Sequence, residues 1–376
     1  MKALFLALAA AATTASAPAL AQPAPAPAIV APAPDAPAPG TFRVHTIDVG
    51  TGLAVLVEGA DFTLLYDAGS NDDAGTKEKN RVAAYIRAVR PHLARIDHVI
   101  LSHPHKDHHE MMDDVFAQYD VDHVWDSGSL HTSCGYRVFL ESVVDEAGVS
   151  YHNAAASGGV HQAPFKKMSC RGQQFPAATV NVPRSTKISN APVALGVNAT
   201  MTILHADANM PKKDLNDASV VARLDLGSRR ILLPGDSEAA HGKRSPPSVP
   251  PTADSVEGKL LACCAADLRA DVFVAAHHGS TTSNRSTYLD AIGASHYIIS
   301  SGPKKYSGTS LPDQAVVDEL GRRGTLWRTD TDDAACKIKP AKVGPDADNK
   351  PGGCDNVLII IDSAGALTAD YHRPAD

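Results

Sequence analysis

Short apolar runs, each closed by a polar or glycine-containing turn, recur along the chain from Phe42 onward. Residues 42–49 and 54–57 read as strands joined by Gly50-Thr51-Gly52, and 63–66 as a third strand ended by Asp67-Ala68-Gly69. The period then lengthens: Val82, Ile86 and Val89 share one face of a helix over 80–89, and Pro91 stops it. Val99-Ile100-Leu101 has the length and residue types of a buried strand, and residues 110–119 predict a helix soon after it. Further strands are expected over 201–204, 219–226, 230–233, 271–276 and 297–300, with helices over 287–292 and 313–321. Residues 326–329 and 357–362 are expected to close the second sheet.

Strand blocks alternating with helices, in two sets, predict an α/β (α+β) protein built of two sheets packed face to face with helices outside. Residues 41–376 are long enough to form one such domain with a full core. Residues 126–200 break the pattern. They are rich in Gly, Ala, Ser and Pro and read as a loop-rich insertion beside the active site, with one helix over 136–147.

The first 21 residues have the pattern of a Sec-type signal peptide: Lys2, an apolar run from Ala3 to Ala12, and Ala19-Leu20-Ala21 as the cleavage site. That run is too short to span a bilayer, and no transmembrane segment is expected later. Gln22, rather than a cysteine, follows the cleavage site and argues against a lipid anchor. Residues 22–40 alternate Ala and Pro, a semi-rigid tether with no core of its own. A periplasmic or secreted protein follows, in a compartment where disulfides form. The chain has six cysteines and no Cys-x-x-Cys, so disulfides are expected rather than a structural zinc site. Cys336 with Cys354 is the expected pair, because they bracket a Pro/Gly/Asp/Lys-rich loop that is costly to order.

Charge narrows the partners. The formal net charge of −7 becomes −8 when the signal peptide takes its one Lys2 with it. An acidic chain with scattered basic pairs is poorly suited to strong binding of duplex nucleic acid.

The chemistry concentrates where the run Val99-Ile100-Leu101 ends. His103, His105, Asp107, His108 and His109 put four histidines and an aspartate within seven residues. Imidazole and carboxylate are the ligands of zinc and related divalent ions. In an extended segment His103 and His105 point the same way, so one ion takes both. Asp107 and His108, where the chain turns, suit a second ion about 3.5–4 Å away. Other carboxylates and imidazoles also stand at strand ends: Asp67, Asp236 after Pro234-Gly235, and His277-His278 before Gly279-Ser280.

This His-x-His-x-Asp-His pattern resembles the signature of the metallo-β-lactamase superfamily. The resemblance implies an αββα sandwich with two divalent metal ions, zinc first and manganese or iron next, at one edge between the sheets. It implies that Asp236 bridges the ions and that Asp67 orients the ligand loop. It also implies that one of the two late histidines, His277 as the direct continuation of the strand, completes the second ion's shell. The third motif of the superfamily supplies a histidine to the first ion, whereas this chain has Leu215-Asn216-Asp217-Ala218-Ser219. That departure, with Ile47-Asp48-Val49-Gly50 and His277-His278-Gly279-Ser280, is similar to the hydrolase domain of ComEC-type DNA-uptake proteins and their stand-alone relatives. The chain departs from those at Gly50-Thr51-Gly52-Leu53, at His105 and at Tyr306-Ser307-Gly308.

These ligands imply hydrolysis by a metal-activated hydroxide, with Asp107 as catalytic residue as well as ligand and with no serine or cysteine nucleophile. The metal ligands expected are His103, His105, Asp107, His108, Asp236 and His277. A small-molecule or short phosphodiester is the expected substrate; Asn216, Lys304 and Tyr306 are candidates to face it, with an ordinary loop position the favoured reading for each. A β-lactamase or lactonase acting on a cyclic amide or ester is the alternative. A binding module that kept the fold without its metals is a third reading.

Overall fold

The computed structural model describes residues 35–372 apart from 73–75, 78–79, 156–157, 171, 211, 307 and 332–354. The chain opens with β1 (Phe42–Thr46), β2 (Val55–Glu58) and β3 (Thr63–Tyr66), an antiparallel meander, followed by α1 (Arg81–Val89). Next come β4 (Arg95–Leu101), the short helices α2 (Lys106–His109) and α3 (Met112–Phe116), β5 (Asp120–Asp126), α4 (Cys134–Asp145) and β6 (Ser150–Asn153). Then follow β7 (Gly159–Phe165), a ribbon of β8 (Met168–Cys170) and β9 (Gln173–Phe175), and the long β10 (Ala178–Lys187).

A second group of strands builds the other layer. Its first members are β11 (Val193–Gly196), β12 (Ala199–His205), β13 (Val221–Leu226) and β14 (Arg229–Leu233). After α5 (Val256–Cys264) come β15 (Val272–Val274), α6 (Ser286–Ile292) and β16 (His296–Ile299). A small hairpin of β17 (Lys305–Tyr306) and β18 (Thr309–Ser310) precedes α7 (Gln314–Arg323) and β19 (Thr325–Arg328). The last strands, β20 (Asn356–Ile361) and β21 (Leu367–His372), return to the first layer.

The ten-stranded sheet has the order β21-β20-β1-β2-β3-β4-β5-β6-β10-β7, and the seven-stranded sheet the order β11-β12-β13-β14-β15-β16-β19. Val55, Val57, Leu64, Tyr66 and Ile100 of the first pack with Ala222, Leu224, Ile231, Leu233, Val272 and Ile298 of the second. The alternate residues Leu56, Leu65, Val99 and Leu101 face outward onto Val82 and Ile86 of α1, Val115 of α3 and Phe139 of α4. Leu232, Phe273 and Tyr297 do the same for Leu260, Leu289 and Val316 of α5, α6 and α7. Both faces of each central strand are therefore covered, which is why these strands read as unbroken apolar runs. At about 1.5–3 kcal/mol per buried large side chain, the three cores hold the layers together. This is the expected αββα sandwich.

Three expectations need correction. Residues 357–362 do not close the second sheet: β20 pairs antiparallel with β1, Phe42 opposite Ile361, in the first. Residues 126–200 are not mainly loops, because β6, β7 and β10 extend the first sheet. Their inner positions alternate, as at His161, Ala163 and Phe165 or Val180 and Val182, while the intervening residues, such as Gln162, Thr179 and Asn181, are exposed. The helix expected over 110–119 begins at Lys106 and is split in two, so Asp107 and His108 sit in its first turn.

Cys134 is bonded to Cys170, tying the start of α4 to β8, and the adjacent Cys263 and Cys264 are bonded to each other. Cys336 and Cys354 lie outside the described residues, as does the signal-peptide segment. Among the described residues no helix is long and apolar enough to cross a membrane.

Candidate metal centre

Three strand ends meet at one edge of the sandwich. β4 ends at Leu101 and hands the chain to Ser102 and His103; β14 ends at Leu233 and leads through Pro234-Gly235 to Asp236; β15 ends at Val274 and leads into a tight turn, Ala276–Gly279. Backbone bonds tie them together: Val220 N–H donates to Ser102 O (2.8 Å) and His277 N–H to Gly235 O (3.1 Å). The α2 turn is clamped from the other side by Ala68 N–H to His108 O (2.9 Å) and Leu53 N–H to Asp107 O (3.0 Å). A Cβ at Gly69 would stand 2.3 Å from His108 N, so only glycine allows that approach.

Asp67 organises the ligand loop. Its Oδ1 accepts from Ser102 N–H (2.7 Å), and its Oδ2 from Ser102 Oγ–H and His108 Nδ1–H (2.7 Å each). Ser102 Oγ in turn stands 3.1 Å from His103 Nδ1. One buried carboxylate thus sets both rings directly or through a hydroxyl and turns their Nε2 atoms inward.

The Nε2 atoms converge on Asp236. His108 Nε2 is 3.3 Å from Asp236 Oδ1, and His103, His278 and His277 Nε2 are 3.8, 3.7 and 3.8 Å from Oδ2. His103 Nε2 also lies 2.9 Å from His105 Nδ1. His278 Nε2 is 3.6 Å from Asp107 Oδ2, while its Nδ1 is fixed by Ser300 O at 3.0 Å. Two sets of ligand atoms each fall within 4.8 Å of one another: His103 with His108 and Asp236, and Asp107 with His108 and His278.

The donor set fits divalent cations. His108 Nε2, His278 Nε2 and Asp236 Oδ1 are buried and have no hydrogen-bond partner, although they face one another. Leaving three such atoms bare costs about 1–3 kcal/mol each unless a cation takes them. Charge agrees. Burial and the neighbouring His108 and His105 rings hold His103 well below the ordinary histidine range. Burial pulls His108 the same way, yet Asp236 and Asp67 outweigh it and hold that ring well above. Burial works to raise Asp236 and Asp107, and the surrounding imidazoles overcome it and hold both carboxyls far down.

The structure brings the six expected ligands, His103, His105, Asp107, His108, Asp236 and His277, together at this edge. The histidine beside Asp107 and His108 is His278, where His277 was expected. The turn decides this: both residues are in the left-handed region (φ 52° each), so the strand's direction does not continue into His277. His277 instead directs Nδ1 to Thr282 Oγ1 (2.8 Å) and Glu238 Oε1 (3.3 Å). Asn216, on a short 3-10 segment, donates from Nδ2 to Glu238 Oε1 (3.0 Å) and lies 3.4 Å from His277 Nε2. Tyr306 reaches in from the β17–β18 hairpin; its hydroxyl donates to Asp107 Oδ2 (2.6 Å) and accepts from Asn71 Nδ2 (2.6 Å). Burial, then Asp107, push the Tyr306 hydroxyl above the ordinary tyrosine range. For Lys304 the contact is backbone, N–H to Thr51 Oγ1 (2.9 Å). His109 turns away and packs on Gly135. Glu238 and Ser102 were not anticipated; the one available signal was their closeness in sequence to Asp236 and His103.

Residues 47–109 match the family described as the metallo-beta-lactamase superfamily. Among curated proteins the chain is similar to Recombination protein 2 of Haemophilus influenzae, 24% identical over 282 residues. That similarity covers 75% of this chain and only 27% of the relative's length. Among solved structures it is similar to the metallo-beta-lactamase fold protein YhfI from Bacillus subtilis, with 12% identity, 77% and 96% of the two chains covered, and a TM-score of 0.39. It is also similar to a diphosphatase from the PhnP family, with 13% identity, 76% and 94% covered, and a TM-score of 0.37.

Proposed function

We propose that this chain, a metal-dependent hydrolase of the metallo-β-lactamase superfamily, uses two divalent ions to cleave a small or single-stranded phosphodiester. The observation that carries the reading is Asp236, whose carboxylate is faced by four histidine Nε2 atoms within 3.8 Å, two from each of two separate motifs. Two ions bound there would lower the pKa of a water to about 7 and offset charge building on the phosphoryl oxygens. His103 and His105 hold one side of the site; Asp107, His108 and His278 hold the other. Asp107 accepts from Tyr306 through Oδ2, so it can orient a nucleophile from a fixed position as well as bind metal.

The rim favours a phosphodiester over a lactam. Asn71 and Asn216 bring two amides beside the ligands, and Lys304 and Lys305 lie at the start of the hairpin that carries Tyr306, whose own hydroxyl proton goes to Asp107. Donors of this kind suit the non-bridging oxygens of a phosphodiester. The word recombination in the name of the Haemophilus influenzae relative agrees with a nucleic-acid substrate. A net charge of −7 opposes long duplexes and favours short or terminal ones. Zinc is the first choice of metal for this nitrogen-rich set, with manganese or iron next. The Lys2, apolar, Ala19-Leu20-Ala21 pattern and the bonded cysteines support export, which N-terminal sequencing of the mature protein at Gln22 checks.

The test runs metal-reconstituted protein against bis-p-nitrophenyl phosphate, single-stranded DNA and a chromogenic cephalosporin in parallel. Turnover of a phosphodiester, abolished by a chelator and by His103→Ala, is expected. Turnover of the cephalosporin alone selects the lactamase reading instead.

A further inference from the structure

We propose that His277 is a ligand of the ion held by His103 and His105, so that the adjacent histidines of one turn serve different ions. This rests on the two-ion reading above. It also answers what replaces the histidine that the third motif lacks, since Asn216 occupies that segment.

The tautomer comes first. His277 Nδ1 stands 3.3 Å from Glu238 Oε1 and 2.8 Å from Thr282 Oγ1, so this nitrogen carries the proton and donates it to a buried carboxylate and a hydroxyl. On the other edge of the ring, Asn216 Nδ2 is 3.4 Å from Nε2. That amide is a donor, because the same NH2 group donates to Glu238 Oε1 at 3.0 Å. A proton on Nε2 would therefore face another donor. Nε2 is left unprotonated: it accepts the second Asn216 N–H at 3.4 Å and faces Asp236 Oδ2 at 3.8 Å. A carboxylate behind Nδ1 is also what Asp67 gives His108, and it is how metal-binding histidines are usually oriented.

Partition follows from the neighbours. His278 lies within 3.6 Å of Asp107, and its ring, tilted by 40°, is 5.3 Å from that of His108. His277 has no such approach to Asp107; its Nε2 faces Asp236 Oδ2, the oxygen it shares with His103 (3.8 Å) and His278 (3.7 Å). The two rings are 6.2 Å apart and inclined at 67°.

The backbone supports a built feature. Two successive non-glycine residues at φ 52° cost about 1–3 kcal/mol each and persist only when the surroundings impose them. The imposing contacts are present. Asn284 accepts from Ala276 N–H (3.0 Å) and donates to Ala276 O (2.9 Å) and Ser280 O (3.1 Å), pinning the turn on both sides. The left-handed pair is what splays adjacent side chains toward different neighbours.

The readout is metal stoichiometry, not turnover. Chelator-treated protein is dialysed against zinc, and bound metal per chain is measured, with cobalt absorption recorded in parallel. Wild type should bind two ions tightly; one ion or none would overturn the two-ion reading itself. His277→Asn, chosen because asparagine tolerates the left-handed backbone, should keep one. His103→Ala/His277→Asn should still keep one, since both lesions fall on the same ion. His103→Ala/His278→Asn should keep none. Two ions at wild-type affinity in His277→Asn, or none in the His103/His277 pair, would overturn the inference. Should the asparagine variants melt far below wild type in the metal-free state, Glu238→Gln decides. It should loosen one ion by about 10–100-fold and leave the other unchanged; two unchanged ions would count against His277.

Discussion

His98, His123 and His152 stack across β4, β5 and β6, while His103, His108, His277 and His278 converge on one carboxylate where β4 ends. The ladder rings lie nearly parallel, 4.9 Å apart for His98 and His123 and 5.4 Å for His123 and His152, with Trp125 on His152 at 4.0 Å. Their nitrogens are used among themselves: His123 Nδ1 to His152 Nε2 (3.1 Å), Trp125 Nε1–H to His98 Nδ1 (3.3 Å), and His152 Nδ1 to Thr186 Oγ1 (2.7 Å). Burial, then the neighbouring histidines, push His98 down to about 3 and His152 to about 4. At the strand end the rings are tilted rather than stacked, each Nδ1 of His108 and His278 is spent on an oxygen, and the Nε2 atoms are left bare opposite acids. Histidine density is similar in the two places. What makes one a cation site is an oxygen behind each ring and a shared carboxylate in front.

Removing the shared carboxylate should break the comparison most severely. Asp236→Ala is expected to bind at least one ion fewer per chain and to lose about 10³-fold or more in kcat/KM. Unchanged metal content by elemental analysis would show that Asp236 does not bridge. Removing an oxygen behind a ring should act next. Asp67→Asn leaves every ligand in place, so metal affinity should fall by about 10–100-fold with the fold intact, as read by competition with a chelator. An unaltered zinc affinity would detach Asp67 from the site.

The ladder should answer to pH instead of metal. His98 is pushed down to about 3 in the folded state, from 6.5 when unfolded. Below pH 6.5 the unfolded chain binds a proton that the folded chain refuses. The stability tied to neutral His98 is thus full above pH 6.5 and is lost as pH falls toward 3. In metal-free protein, His98→Leu should flatten the stability slope between pH 6 and 4 by up to ~1.4 kcal/mol per pH unit. An unchanged slope would mean that the ring is charged or solvated. The smallest effect is expected for His152→Ala, about 1 kcal/mol from a lost aromatic contact, with metal content unchanged. Loss of zinc in that variant would erase the distinction between the clusters.

Much of this arrangement was legible along the chain because it is local. The apolar runs of β2, β3, β4 and β14 are covered on both faces, so burial wrote them as continuous hydrophobic stretches. Asp67, Asp236 and the segment from His103 to His108 each sit where such a run stops, and ligand chemistry restricts which residues can stand there. The strands within 126–200 were hidden for the opposite reason. One face of β7 and β10 is solvated, so only alternate residues such as Ala163, Phe165, Val180 and Val182 carry the signal, amid Gly, Ser and Pro.

Sequence alone determined the residue types of the metal centre and the layering of the sandwich, since both follow from local burial and ligand chemistry. Tertiary structure decided the pairing of β20 with β1, the choice of His278 beside Asp107, and the seating of His277 on Glu238. Those depend on how distant segments meet. The two left-handed residues are held there by Asn284 and Ser300, contacts that no spacing along the chain encodes.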